Sequence, residues 1–169
     1  IKDDISKSFS AKGDIYVSGK QSTIDVLLDF NDFNLFPLNP LLDGVLSDIR
    51  GETTGNVEVV GSLLLPDING KLTLNNAGLG IPYLNVDYNF NSKASITLKN
   101  QSFIFNNVNL TDTKYNSKGQ LNGSLSHVNF SNWNLGLNIT TPRLLILDTK
   151  ETEESLYYGT GFIGGQATL

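Results

Sequence analysis

Cysteine and methionine are both missing from these 169 residues, and histidine occurs once, at His127. Without a thiol there is no disulfide, no cysteine nucleophile and no thiolate zinc site, and the redox compartment leaves no trace in the composition. One imidazole excludes clustered-histidine metal sites, and a lone histidine is usually structural. Long hydrophobic runs are missing as well: no window approaches the ~18 consecutive apolar residues that a membrane-crossing helix needs. Charge is scarce, at 17% of residues, and twelve basic side chains are scattered among seventeen acidic ones for a net charge of -5. No basic run can track a phosphate backbone, so nucleic acid is not expected as a partner.

In their place stand Asn, Gly, Ser and Thr, which favour turns and extended chain over long helices. Apolar and polar residues alternate in most segments, the period-two signature of strands with one buried face. Ile15 and Val17 share one side of GDIYVSG at 13–19, and Ile24, Val26, Leu28 and Phe30 share one side of STIDVLLDF at 22–30. The cleanest case is LNVDYNF at 84–90, where Leu84, Val86, Tyr88 and Phe90 alternate with Asn85, Asp87 and Asn89. Shorter stretches of the same kind (SITLK, SFIF, GQLNGSL, LGLNIT, RLLILD) follow with turn residues between them. The exception is NLFPLNPLLDGVLSDIR from Asn34 to Arg50, where apolar residues cluster without alternating and Pro40 predicts a short helix over 40–46. The spacing Gly-x-Ile/Val-x-Val-x-Gly recurs at 13–19 and 55–61, with a shortened relative at 119–125, and points to an elongated, stackable sheet.

The length fits one domain. The absent initial Met and the abrupt ends Ile1 and Leu169 lead us to expect a fragment of a larger protein. N-terminal strands are expected over 1–30, a short helix or crossover over 31–50 and the main sheet over 51–169.

Catalytic groupings are hard to assemble. There is no Gly-x-Ser-x-Gly elbow to accompany His127. Asp25 and Asp29 could in principle pair as acid and base, but both fall on the polar side of their strand, and Glu151, Glu153 and Glu154 sit in a polar loop. GTGFIGG at 159–165 has no helix after it and does not match a phosphate cradle. No enzyme activity, cofactor, metal or catalytic residue is expected.

The stretch GNVEVVGSLLLPDINGKLTL, Gly55 to Leu74, sharpens the question of what covers the apolar face. Val57 and Val59 share one side, and Leu63, Leu65, Leu72 and Leu74 continue it if Pro66-Asp67 forms a turn. A single sheet leaves each exposed Val, Leu or Phe unfavourable by roughly 1.5–3 kcal/mol, so it must curl or be covered. A closed β-sandwich binding module, adhesin-like or sugar-binding, in which the same residues form a dry core between two sheets, would solve the same problem.

GSLLLPDINGKLTLNNAGL at 61–79, VNLTDTKYNSKGQLNGSLSHVNFSNWNLGLNI at 108–139, LLILDT at 144–149 and SLYYGTGFIGG at 155–165 together resemble the C-terminal domain of the TamB (translocation and assembly module) family, within the AsmA-like bridge proteins. The resemblance covers roughly 46–169. Its most specific parts are Pro66-Asp67-x-x-Gly70, the Asp112-to-Gly123 segment with His127 and Phe130, and Tyr157-Tyr158-Gly159. It implies an all-β fold, an elongated curled sheet (β-taco) with an apolar concave groove and a polar convex face. It also implies a periplasmic segment of an inner-membrane-anchored protein of a diderm bacterium, with the membrane contact made by parts outside this chain. The groove would carry phospholipid acyl chains towards the outer membrane, alongside an Omp85-type (TamA-like) partner. The expected groove residues are Val57, Val59, Leu63, Leu65, Leu72, Leu74, Val86, Tyr88, Phe90, Leu121, Leu125, Leu135, Leu137 and Ile139. A late edge strand, Leu156 to Ile163, is a further expected site, for strand addition by an outer-membrane protein.

Overall fold

The structure, a computed structural model, describes residues 8–42, 44, 46–129, 131–151 and 158–168. Ten strands account for most of it: β1 Phe9–Tyr16, β2 Thr23–Asn34, β3 Ser47–Ser62, β4 Leu65–Ile81, β5 Val86–Phe90, β6 Lys93–Lys99, β7 Ser102–Asp112, β8 Lys118–Val128, β9 Ser131–Thr149 and β10 Gly159–Thr168. All belong to one antiparallel sheet in sequence order. β5 and β6 share one place in it, both lying between β4 and β7, so the path β4, β5, β7, β6 closes a four-strand ring. Among the described residues β1 and β10 are the edges.

The sheet is curled, and hydrogen bonds measure how tightly. In a flat sheet β5 and β9, three places apart, would be separated by about 14 Å. Instead the Tyr88 hydroxyl donates to the Leu145 carbonyl at 2.6 Å, and Asn85 Nδ2 donates to the Asp148 carbonyl at 2.6 Å. At the opposite end Asn129 Nδ2, in the β8–β9 turn, donates to the Leu64 carbonyl at 2.7 Å in the β3–β4 turn.

Asparagine doublets place the bends. Phe30-Asn-Asp-Phe33 in β2, Leu74-Asn-Asn-Ala77 in β4 and Phe105-Asn-Asn-Val108 in β7 share one pattern. In each, the second Asx (Asp32, Asn76, Asn107) has φ near +50°. An αL residue inside a strand inserts a bulge and strengthens the local bend, and Asn and Asp tolerate that conformation best. The ladder steps over the insertion between Phe30 and Phe33 and between Phe105 and Val108, so the apolar residues on either side keep the same face. Freed backbone donors find side chains across the sheet: Asp32 N–H reaches Thr54 Oγ1 at 3.0 Å, and Asn107 N–H reaches Asn122 Oδ1 at 2.8 Å.

Two expectations need correction. The helix near 40–46 is a 3-10 helix at Phe36–Leu41, with a proline at its start and Pro40 inside it. Two fixed φ angles and two missing N–H groups suit one tight turn and stop a longer helix. Asn39 ties it to β3, with Oδ1 accepting from Ile49 N–H and Nδ2 donating to the Ile49 carbonyl, both at 2.9 Å. Asp43 and Val45, within the expected span, lie outside the described residues. The β3–β4 turn is Leu63-Leu64, whereas Pro66 and Asp67 lie inside β4 opposite Gly61 and Val60.

Candidate functional site

Antiparallel partners point to the same side of a sheet, so the register builds the apolar face row by row. One row runs Leu28, Val57, Gly70, Leu98, Phe103, Leu125, Leu135 from β2 to β9. The next runs Phe30, Gly55, Leu72, Ile96, Phe105, Gly123, Leu137. Val26, Val59 and Ile68 lie beside the first row, and Leu74 beside the second, opposite Thr53 and Ala94. Beyond the bulges the same face continues through Val86, Tyr88 and Phe90, and through Val108, Leu121 and Ile139.

Leu63 and Leu65 do not join this face. Leu63 occupies the turn, and Leu65 is an odd number of residues from both Leu72 and Leu74, so the strand parity turns it outward. Both are exposed, as is Leu64 between them.

The curl divides the other expected residues into two groups. Val57, Leu74, Val86, Tyr88, Leu121 and Ile139 are buried. All but Val57 form a single apolar cluster with Leu144 and Leu145, which β9 folds over the face at the end bearing Pro82. Val59, Leu72, Phe90, Leu125 and Leu137 are half-buried, and Leu135 is exposed by 51%. The half-buried rows at the end bearing Leu64 therefore form an apolar surface in reach of a ligand, continuous with a core that is already filled.

Gly55 and Gly123 explain how strands bend enough to do this. Their φ angles are +144° and +116°, and a Cβ would lie 2.2 Å from the Lys71 carbonyl oxygen or 2.1 Å from that of Gly136. Only glycine allows neighbouring strands to approach so closely there.

Among the described residues no buried side-chain nitrogen or oxygen lacks a hydrogen-bond partner. Asp112 is fully buried, and its carboxylate accepts N–H groups of Lys114 at 3.0 Å, Tyr115 at 2.7 Å and Ser117 at 2.5 Å, together with the Ser117 hydroxyl. Burial pushes its pKa up, but these four donors outweigh burial and hold it below the usual value. The Ser117 hydroxyl oxygen also accepts from Leu145 N–H at 2.8 Å, so this turn fastens β9 over the face. Burial, with Asp112 nearby, pushes the Tyr88 phenol up to about 12. His127 is buried between Phe103 and Trp133, with ring centroids at 5.5 and 4.9 Å, and burial holds its pKa below the ordinary value.

A cavity of about 330 Å³ opens at the Pro82 end. Its lining includes Ser47, Asp48, Asn85, Asp87, Lys114 and Asp148. Arg50 pairs with Asp87 through two contacts of 2.8 Å, and Lys114 pairs with Asp148. This cavity is polar and separate from the half-buried apolar rows. Among the described residues, no group of His, Asp and Glu could hold a metal ion, and no helix is long and apolar enough to cross a membrane.

No family model, curated protein or solved structure matches the chain. The segments that carry the resemblance to the TamB family have local roles in this fold. Asp112 to Gly123 forms the β9-fastening turn and the start of β8. Phe130, Tyr157, Glu153 and Glu154 lie outside the described residues. Of the expected late edge strand, 156–157 are likewise outside, while 159–163 lie in β10, which is an edge. Asp25 and Asp29 occur on the polar face, where Asp29 accepts from Asn56 Nδ2 and from the Ser10 hydroxyl at 3.4 Å.

Sequence reasoning missed three sets of residues. The asparagine doublets were legible as a repeated apolar-Asn-Asx-apolar pattern. The closing pair Leu144 and Leu145 was masked by the lack of alternation in RLLILD. The Tyr88–Leu145 hydrogen bond had no signal in the sequence, since only the curl brings the two together.

Proposed function

We propose that the half-buried apolar rows bind acyl chains, and that the chain is a non-enzymatic segment of an envelope bridge protein of the TamB and AsmA-like kind, working in the periplasm beside an Omp85-type partner. The observation that carries this reading is the continuity of the rows. Two unbroken lines of apolar side chains and glycines cross seven or more strands, and their members near the Leu64 end remain accessible. Each methylene buried there contributes about 0.8 kcal/mol, so a dozen contribute on the order of 10 kcal/mol gross. Rows that hold no charged side chain bind by area and let a chain slide.

A benzophenone amino acid placed at Leu125, Leu135 or Val59 tests the reading in lipid vesicles under illumination. Crosslinks to phospholipid from these inner positions, and none from the outward Leu65, are expected. Equal labelling at Leu65, or none anywhere, contradicts it.

A second reading has its own observation. The Tyr88–Leu145 hydrogen bond and the fully buried Leu144 and Leu145 close the Pro82 end as a dry core, as in a self-contained binding module. In that case inner-face crosslinkers label only protein, and the accessible rows bind nothing apolar.

A further inference from the structure

β1 is an edge strand with an uncommon charge problem. Asp14 lies directly opposite Asp25 of β2, and Lys12 lies opposite Leu27. Among the described residues no ion pair reaches Lys12, Asp14 or Asp25. Like charges opposite one another destabilise a strand pair, so this edge carries an unrelieved repulsion. It also carries exposed apolar side chains: Ile15 at 55% and Tyr16 at 63%, with Val17 at 80% just past its end.

We propose that β1 pairs antiparallel with β1 of a second copy of this chain, across a twofold axis at Gly13. Residues whose numbers sum to 26 then face each other. Lys12 meets Asp14 of the other copy twice, by symmetry, on the polar face, which supplies each Asp14–Asp25 pair with a cation. On the apolar face Ala11 meets Ile15 and Phe9 meets Val17, covering Ile15 and Val17, while Tyr16 meets Ser10 on the polar face, and both apolar faces join into one. Two glycines meet on the axis, where no side chain opposes the approach. The charges also select this register. Sliding by one residue in each copy, to sums of 24 or 28, sets Lys12 against Lys12 or Asp14 against Asp14. Odd sums set the apolar face against the polar one. A closed twofold contact of this kind is self-complementary and stops at two copies.

Sedimentation velocity of the whole chain over about a hundredfold range of concentration, with K12D, D14K and the double exchange K12D/D14K beside the wild type, tests the pairing. The wild type is expected to approach twice the chain mass as concentration rises. Each single exchange puts like charges together and should weaken the dimer at least about tenfold, and the double exchange should restore it. Circular dichroism of each variant checks that these exposed substitutions leave the strand content unchanged. A wild type that stays at the monomer mass overturns the proposal, and so does a dimer that the single exchanges leave intact. Single exchanges that weaken the dimer without rescue by the double one overturn the register.

Discussion

Removing the Tyr88 hydroxyl leaves the ring in place and the buried Leu145 carbonyl without its donor. Tyr88→Phe is therefore expected to lower stability by about 1–2 kcal/mol, read as a lower urea midpoint at an unchanged slope. The same phenol sets an alkaline limit. Its pKa is raised from 10.0 to about 12 on folding, so its contribution is complete below pH 10 and is lost as pH rises towards 12. In Tyr88→Phe that part of the alkaline decline should vanish. On the acid side the signs reverse. His127 is held below its ordinary value of 6.5 and Asp112 below 3.8, so each stabilises the fold above those values and ceases to as pH falls through its folded pKa. His127→Phe should flatten the first part of the acid decline. Asp112→Ala strips the acceptor from four donors and should cost on the order of 3 kcal/mol or more, releasing the turn that fastens β9.

At the scale of elements, the bend of each strand is written in few residues. Gly123→Ala puts a Cβ 2.1 Å from the Gly136 carbonyl oxygen at a φ of +116°, whereas Gly136→Ala meets nothing closer than 3.8 Å. The first is expected to lower the thermal midpoint by several degrees or prevent folding, and the second to change stability by about 0.5 kcal/mol or less. Asn107 offers a milder contrast: Asn107→Val forces a β-branched residue into the αL region, while Asn107→Gly fits it. Strand existence was readable from alternation because one face is buried and the period is two. Turns were less readable. Pro66-Asp67 carries strong turn chemistry, yet the ladder with Gly61 and Val60 places the turn at Leu63-Leu64, where three leucines give no turn signal. Pro40 has the chemistry of a helix opener, but Pro37, three residues earlier, begins the tighter 3-10 turn.

At the scale of the molecule, alternation identified which residues share a face but not how far that face closes on itself. Leu74, Val86 and Tyr88 carry the same local pattern as Leu125 and Leu137, yet the first three are buried and the other two half-buried. The difference arises from β9 folding back across the Pro82 end, a contact between residues 57 apart in the chain. An arginine at Leu74 is therefore expected to unfold the protein, because it would bury an unpaired charge, whereas Leu135→Arg should leave it folded and weaken acyl binding. The most direct test of the acyl-binding reading is the affinity of the purified chain for a series of phospholipids that differ only in acyl length. Binding that tightens by roughly fourfold per added methylene over part of the series, with little effect of head group, is the predicted result. No binding, or an affinity that ignores chain length, would contradict it.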